Sequence, residues 1–289
     1  MKIWLLGARP RTLPAAIAPV LIGTALIKVD DRSINWINAL LALTVGLLLQ
    51  IAVNYSNDYS DGIRGTDKDR TGPTRLVASG LKAPVQVKRA AILTYSFAAL
   101  SGLLLSIRTS PVLIIIGAIA IAAAWKYTGG KSPYGYGGFG EVSVFIFFGL
   151  VATMGSYFAQ SERITWQSFL LAIPMGALSC TILGLNNLRD RPKDELVGKK
   201  TLAVRLGDAK ARQLIIALLL LALATSLAAT FITPFALLVL VTLPVQFILI
   251  KGVRSGASGS ALIPLLGKAG ELQLLTSLLI TLALSLAKA

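Results

Sequence analysis

Histidine is absent from the 289-residue sequence, and cysteine occurs once, at Cys180. The first absence excludes a Ser-His-Asp triad, a histidine-held zinc or haem, and proton transfer by imidazole. The second excludes an intrachain disulfide and a thiolate metal site, and leaves Cys180 as a packing residue inside a helix. Charge is also scarce: 14% of residues are charged, and only 13 are acidic against 28 Lys and Arg. Any chemistry must therefore run on carboxylates, Lys, Arg, Asn, Tyr and a metal. What is abundant is apolar: 55% of residues are hydrophobic and the mean hydropathy is +0.73. That leaves too little polar surface to cover a soluble globule of this size, so the chain is read as an integral membrane protein.

Apolar runs near the roughly 20 residues that span a bilayer recur at about 13–28, 35–57, 88–107, 111–128, 140–160, 166–188, 211–232, 233–250 and 270–288. Leu, Ile, Ala and small residues dominate them, and none alternates as an outer-membrane barrel strand does, so the fold class is all-α with about nine transmembrane helices. Around Thr233-Pro234 two short spans and one long kinked segment compete. The apolar run after Lys2 is interrupted by Arg9-Pro10-Arg11 and has no small-residue cleavage site behind it, so it reads as the approach to the first helix.

Of the 28 Lys and Arg, all but Lys28, Arg32, Arg108, Arg163 and Lys288 fall at the N-terminus or in the loops after helices two, four, six and eight. The positive-inside rule then places the N-terminus and those loops in the cytoplasm and the C-terminus outside. The net charge of +15 follows from this topology and from attraction to anionic lipid in the bilayer. No basic aromatic face or soluble reading module is present, so a nucleic-acid partner is not expected. Nothing marks an obligate protein partner.

The acidic residues are clustered. Asn54-Tyr55-Ser56-Asn57-Asp58-Tyr59-Ser60-Asp61 closes the second apolar run, with Asp67 and Asp69 just downstream, and Asn186-Asn187-Leu188-Arg189-Asp190-Arg191-Pro192-Lys193-Asp194 closes the sixth, followed by Glu195. Asp58 and Asp61 are three apart, and Asp190 and Asp194 four apart, so each pair shares a helix face; Asn54, Asn57, Asn186 and Asn187 lie behind them. The recurrence predicts one membrane domain, 1–289, built of two four-helix units at about 1–130 and 131–250 plus a ninth helix at 270–288, with the site at the interface of the units. Ligands that are all oxygen favour a hard cation. Magnesium usually shares its shell with substrate phosphates, which makes phosphate the expected second partner. Arg64, Lys68, Arg70 and Arg75 in the first loop, and Arg189, Arg191, Lys193, Lys199, Lys200 and Arg205 in the second, suit a metal-bound polyanion. The competing explanation, solvated salt bridges, accounts for any single pair but poorly for two matching clusters at the ends of apolar helices.

Between helices four and five, 125–141 holds six glycines and three tyrosines. Glycine lets backbone approach a ligand closely, and tyrosine at a membrane border either anchors in the headgroup region or lines a site. Glu141 opens the next apolar run and belongs at the water boundary or in the bundle interior, since facing lipid is costly.

On these residues the sequence resembles the UbiA-type intramembrane aromatic prenyltransferases. The motifs run through most of the chain: Asn57-Asp58-x-x-Asp61 followed by Arg75-Leu76-Val77-Ala78-Ser79-Gly80, and Asp190-x-x-x-Asp194 followed by Gly198-Lys199-Lys200-Thr201-Leu202-Ala203-Val204-Arg205-Leu206-Gly207. Arg9-Pro10-Arg11-Thr12-Leu13-Pro14, Asp61-Gly62-Ile63-Arg64-Gly65-Thr66-Asp67, Tyr127-Thr128-Gly129-Gly130 and Gly138-Phe139-Gly140-Glu141 are similar to the branch that acts on 1,4-dihydroxy-2-naphthoate in menaquinone synthesis, with an actinobacterial flavour. The resemblance implies nine helices around a central cavity in the bacterial cell membrane, capped by cytoplasmic acidic loops. It implies Mg2+ as cofactor, held by Asn57, Asp61, Asp190 and Asp194 with Asp58 and Asp67 beside them, and polyprenyl diphosphate and 1,4-dihydroxy-2-naphthoate as substrates. Arg64, Arg70, Arg75, Lys131, Lys200 and Arg205 would bind diphosphate; Asn54, Asn57, Tyr59, Tyr127, Tyr134 and Asn187 would line the space for the allylic cation and the acceptor. Hydroxybenzoate relatives carry their next acid four residues after the equivalent of Asp61, where this chain has Gly65 and then Asp67.

The chemistry expected is electrophilic alkylation of an electron-rich ring: neutralising the leaving diphosphate lowers the barrier to an allylic cation, and aromatic faces and an apolar cavity protect it. Loss of carbon dioxide would restore aromaticity without a strong protein base, in keeping with the missing histidine. Other acceptors (4-hydroxybenzoate, haem, a chlorophyll precursor) remain open, as does a cation transporter, which predicts acids at mid-bilayer rather than at helix ends.

Overall fold

The structure is a computed structural model that describes residues 2–66, 72 and 74–287. Asp67 and Arg70 therefore lie outside the described residues. Helices account for the architecture throughout, as expected of a chain that must satisfy its backbone within each spanning segment. An N-terminal segment, Lys2–Thr12, meets α1 (Pro14–Asp30) at a bend of 55°. There follow α2 (Trp36–Arg64), α3 (Pro84–Arg108), α4 (Val112–Lys126), α5 (Gly140–Ser161), α6 (Trp166–Leu196), α7 (Leu202–Phe231), α8 (Pro234–Arg254) and α9 (Gly259–Leu286). Among the described residues, seven of these are long and apolar enough to cross a membrane, and the bent N-terminal pair makes an eighth. The ninth apolar segment, α4, has 15 residues and reaches only about 22 Å at 1.5 Å per residue.

Several helices outrun their apolar stretches. The expected ends of the apolar runs at 57 and 188 are passed by helices that continue to Arg64 and Leu196, so Asp58, Asp61, Asp190 and Asp194 lie on the helix ends, as their shared faces require. Hydropathy stops where polar side chains begin, whereas helical hydrogen bonding continues until something ends it. For α2 that is Gly65, whose left-handed φ of 71° lets its N–H reach back to Asp61 O and Gly62 O. The start of α2 is fixed by Asn35, whose side chain accepts from Asn38 N; α6 starts in the same manner at Thr165. At Thr233 the backbone is extended (φ −152°, ψ 134°) before Pro234, which resolves that region into two segments.

The long α6 is the hub. It packs against α5, α7 and α9, and 72% of its most apolar window is buried, against 17% for α2 and 28% for α3, α5 and α7. Small residues let α5 and α6 touch: a Cβ on Gly149 would lie 2.6 Å from Gly176 Cα, the close approach by which membrane helices associate. Peripheral helices turn Trp36, Phe97, Ile107, Ile115 and Phe247 outward, a lipid-facing surface. The bundle encloses a chamber of about 490 Å³ that reaches the last turns of α2 and α6.

Candidate active site

The last turns of α2 and α6 face each other across this chamber. From α2 come Asn54, Asn57 and Asp61; from α6 come Asn186, Asn187, Arg189, Asp190, Lys193 and Asp194; Arg75 and Lys199 enter from the connections that follow each helix. Deeper, the wall is apolar, with Val45, Leu49, Ile116, Phe147, Phe148 and Val151 among its residues.

Asp61 is the centre of the ionic end. It is 4% exposed, yet three groups converge on it: Tyr136 donates its hydroxyl to Oδ1, Lys199 Nζ lies 3.3 Å from the same oxygen, and an Arg75 NH2 lies 3.5 Å from Oδ2. Lys199 also stands 4.0 Å from Asp194 Oδ1 and 4.5 Å above the Tyr136 ring, so it bridges the two acidic helices. Burial, and then the Asp61 carboxylate beside it, push the Tyr136 hydroxyl above the usual tyrosine range, which keeps it a donor. On α6, Arg189 donates to both oxygens of Asp190 at 2.7 Å, and to Asn186 Oδ1.

The loop 127–139 roofs the chamber. Arg64 donates to the carbonyls of Thr128 and Gly130, Thr128 Oγ1 donates to Asn57 Oδ1 at 2.7 Å, and Lys200 N donates to Tyr136 O at 2.8 Å. The turn demands glycine at Gly138, where φ is +87° and a Cβ would press to 2.8 Å from Arg205 Nε. Tyr127 and Tyr134, edge to face at 5.6 Å, both reach the chamber wall. The Tyr134 hydroxyl is engaged with Ala123 O and Ser143.

Other residues expected at the site stand elsewhere. Asp58 is fully buried and its two oxygens accept the backbone N–H groups of Leu76 and Val77 at 2.8 and 3.0 Å; one helical position from Asn57, it points out of the chamber and pins the segment that carries Arg75. Tyr59 stacks on Trp125 with Lys88 over its ring, outside the lining. Arg64 serves the roof, while Lys131, Lys200 and Arg205 are exposed and absent from the lining. Asn54 does line the chamber, but its amide ties down the N-terminal segment through Ala8 O and Thr12 Oγ1. Of the cations that flank the second acidic cluster the fold turns Lys199 and Arg189 to the chamber, and it adds Tyr136. In Lys199-Lys200 only one side chain can face inward, and the Lys199 N–H bond to Asp194 O decides which; no sequence pattern distinguishes the two.

Among the described residues no three acids converge on one point. The oxygens available are instead split, Asn57 and Asp61 on one helix and Asp190 and Asp194 on the other. That division suits magnesium, which takes one or two carboxylates and completes its shell with phosphate and water. The cations now paired with Asp61 and Asp190 are the groups that a metal-bound polyanion would draw away.

A helical membrane bundle around a chamber with a carboxylate-and-cation head and an apolar body defines a class: a membrane-embedded enzyme for amphiphiles with a polyanionic head. The chain belongs to the UbiA prenyltransferase family, whose profile matches residues 16–262, and it is accordingly a transferase. It is 49% identical over 98% of its length to the 1,4-dihydroxy-2-naphthoate octaprenyltransferase of Mycobacterium tuberculosis, covering 96% of that protein. The Escherichia coli protein of the same description is 42% identical over 73% of this chain and 71% of its own. The fold is that of a UbiA homolog from Archaeoglobus fulgidus solved bound to GPP and Mg2+, with a TM-score of 0.72 at 14% identity over 98% of this chain and 99% of that one.

Proposed function

We propose that this protein transfers a polyprenyl group from polyprenyl diphosphate to 1,4-dihydroxy-2-naphthoate with loss of carbon dioxide, giving demethylmenaquinol, the reduced form of demethylmenaquinone, in menaquinone biosynthesis. The observation that carries the proposal is the shared chamber: acids of two helices and three buried cations at one end, and an apolar wall beyond it. Such a space matches a diphosphate joined to a hydrocarbon tail. The chain's near-full-length similarity to a protein described as a 1,4-dihydroxy-2-naphthoate octaprenyltransferase, and its similarity over about seven tenths of its length to a second, support the choice of ring.

Asn57 and Asp61 on α2, and Asp190 and Asp194 on α6, would hold magnesium, which when bound supplies charge neutralisation of the leaving diphosphate. Arg75, Lys199 and Arg189 are released from their carboxylates and turn to phosphate oxygens as charge-assisted donors. The bond between the allylic carbon and the diphosphate oxygen breaks, and its electron pair leaves on diphosphate. The ring carbon bearing the carboxylate attacks the allylic carbon, and the electrons of its bond to carbon dioxide restore aromaticity, so no protein base is needed. Roofed by the loop 127–139, the chamber excludes water from the cation, and Tyr127 offers its ring as a π face. The chain lies in the bacterial cell membrane with its N-terminus, both acidic helix ends and the roof on the cytoplasmic side.

Purified protein in lipid with Mg2+, labelled polyprenyl diphosphate, and either 1,4-dihydroxy-2-naphthoate or 4-hydroxybenzoate tests the assignment. The expected result is a prenylated, decarboxylated product from the naphthoate alone; product from the hydroxybenzoate alone would replace the acceptor, and no product from either would reject the function.

A further inference from the structure

Glu141 is a carboxylate for which the proposed chemistry has no use, yet it sits inside the bundle at the start of α5, 8% exposed. Its Oε1 accepts from Asn187 Nδ2 at 2.9 Å, while Oε2 is buried without a hydrogen-bond partner among the described residues. A buried charge-bearing group with half its capacity unused is expensive to keep for packing alone. Its one side-chain partner is a residue of the chamber wall.

Asn187 lies one helical turn before Asp190 on α6, about 4.5 Å deeper into the bundle at 1.5 Å per residue. That level is where an aromatic acceptor has to lie. The allylic carbon is bonded to a diphosphate oxygen held at the level of the acids, and the attacking ring carbon must come within about 3–3.5 Å of it. Two further polar groups face the same level, Asn57 one turn below Asp61, and Tyr127, whose hydroxyl rests against Gly140, 3.1 Å from where a Cβ would be.

The two asparagines are engaged at different atoms, and the carbonyl oxygen of Asn57, which accepts one hydrogen bond, keeps a second lone pair for the metal. Asn57 has its carbonyl oxygen engaged by Thr128 Oγ1. Asn187 has its NH2 engaged by Glu141, and a planar amide whose nitrogen is held behind the wall turns its oxygen the other way. We propose that Glu141 is a positioning residue that fixes the Asn187 amide so that its Oδ1 faces the chamber and accepts a ring hydroxyl of the aromatic acceptor, making this pair the determinant of selectivity for a hydroxylated ring. A site built to receive a hydroxyl rejects a ring that lacks one far better than an apolar wall does. The inference rests on the proposed function, since it assigns a part of that same chamber to the acceptor.

The test is steady-state kinetics with each substrate varied in turn, on wild type, Glu141→Leu, Glu141→Gln and Asn187→Ala, with 1,4-dihydroxy-2-naphthoate and with its 1,4-dimethoxy analogue. Glutamine retains an oxygen for Asn187 and leucine does not. Glu141→Leu and Asn187→Ala are expected to raise KM for the naphthoate about tenfold or more and to erase the preference over the dimethoxy analogue. KM for polyprenyl diphosphate should stay within about twofold, and Glu141→Gln should stay close to wild type. An unchanged acceptor KM, an equal loss for both substrates, or a Glu141→Gln variant as impaired as Glu141→Leu would overturn the inference. Wild type that turns over the naphthoate while the variants fail this pattern rejects the positioning role alone; wild type inactive on the naphthoate rejects the function beneath it. Glu141→Gln, nearly isosteric and unable to carry charge, keeps the test decisive if Glu141→Leu does not fold.

Discussion

Single residues divide into those that face the chamber and those that hold its walls, and neighbours in sequence fall on opposite sides of that line. Asp58 and Asp61 look equivalent as letters. Asp61 gathers Tyr136, Lys199 and Arg75, whereas Asp58 caps the backbone of Leu76 and Val77. Asp58→Ala should therefore act through stability: each orphaned buried N–H costs about 1–3 kcal/mol, visible as a lower unfolding temperature in detergent, with Asp58→Asn milder because its one carbonyl oxygen still accepts. Lys199 and Lys200 separate in the same way. Lys199→Met should reduce kcat/KM about 10- to 100-fold, the worth of a hydrogen bond to a charged group, while Lys200→Met stays within about twofold; equal effects would refute the assignment of Lys199 to the diphosphate. The sequence made the acidic pairs legible because carboxylates at the ends of apolar helices are rare. It could not say which lysine, arginine or tyrosine turns inward, because that depends on tertiary bonds such as Lys199 N to Asp194 O and on Arg64 being engaged by the carbonyls of Thr128 and Gly130.

Among elements, α2 and α6 carry the chemistry because both continue past their apolar stretch and bring a last polar turn to one chamber. Hydropathy located every apolar segment but cut α2 and α6 short, since the acids that matter are the ones that end an apolar run. It also had no means of detecting the crossing of α5 and α6, which depends on Gly149 facing Gly176. Gly149→Val would drive side-chain atoms into the α6 backbone. Overpacking of this kind costs about 1–3 kcal/mol, and here it also shifts Phe147 and Phe148, which line the chamber on the same element. The expected outcome is a lower unfolding temperature together with reduced turnover; a variant with wild-type stability would show that the crossing is looser than its geometry indicates.

The whole molecule is a container whose depth bears on the length of chain it accepts. Gly117 lines the apolar wall, and a Cβ there meets nothing within 4 Å, so Gly117→Phe places a ring in the chamber without straining the bundle. Competition between short and long polyprenyl diphosphates should then shift toward the short donor, with turnover on that donor close to wild type. An unchanged preference would place the tail along another wall. At this scale the central claim is a coupled event in one chamber, with prenyl transfer and loss of the carboxylate both dependent on acids from two helices. The most direct measurement follows 1,4-dihydroxy-2-naphthoate labelled in its carboxyl carbon together with a labelled polyprenyl diphosphate, in lipid with Mg2+, for wild type, Asp61→Ala and Asp190→Ala. The account predicts one carbon dioxide released per prenyl group transferred in wild type, and loss of both signals by about 10²–10³ or more in either variant, as when a group that stabilises transition-state charge is removed. Carbon dioxide release without prenyl transfer, or transfer that survives removal of Asp61 or Asp190, would contradict it.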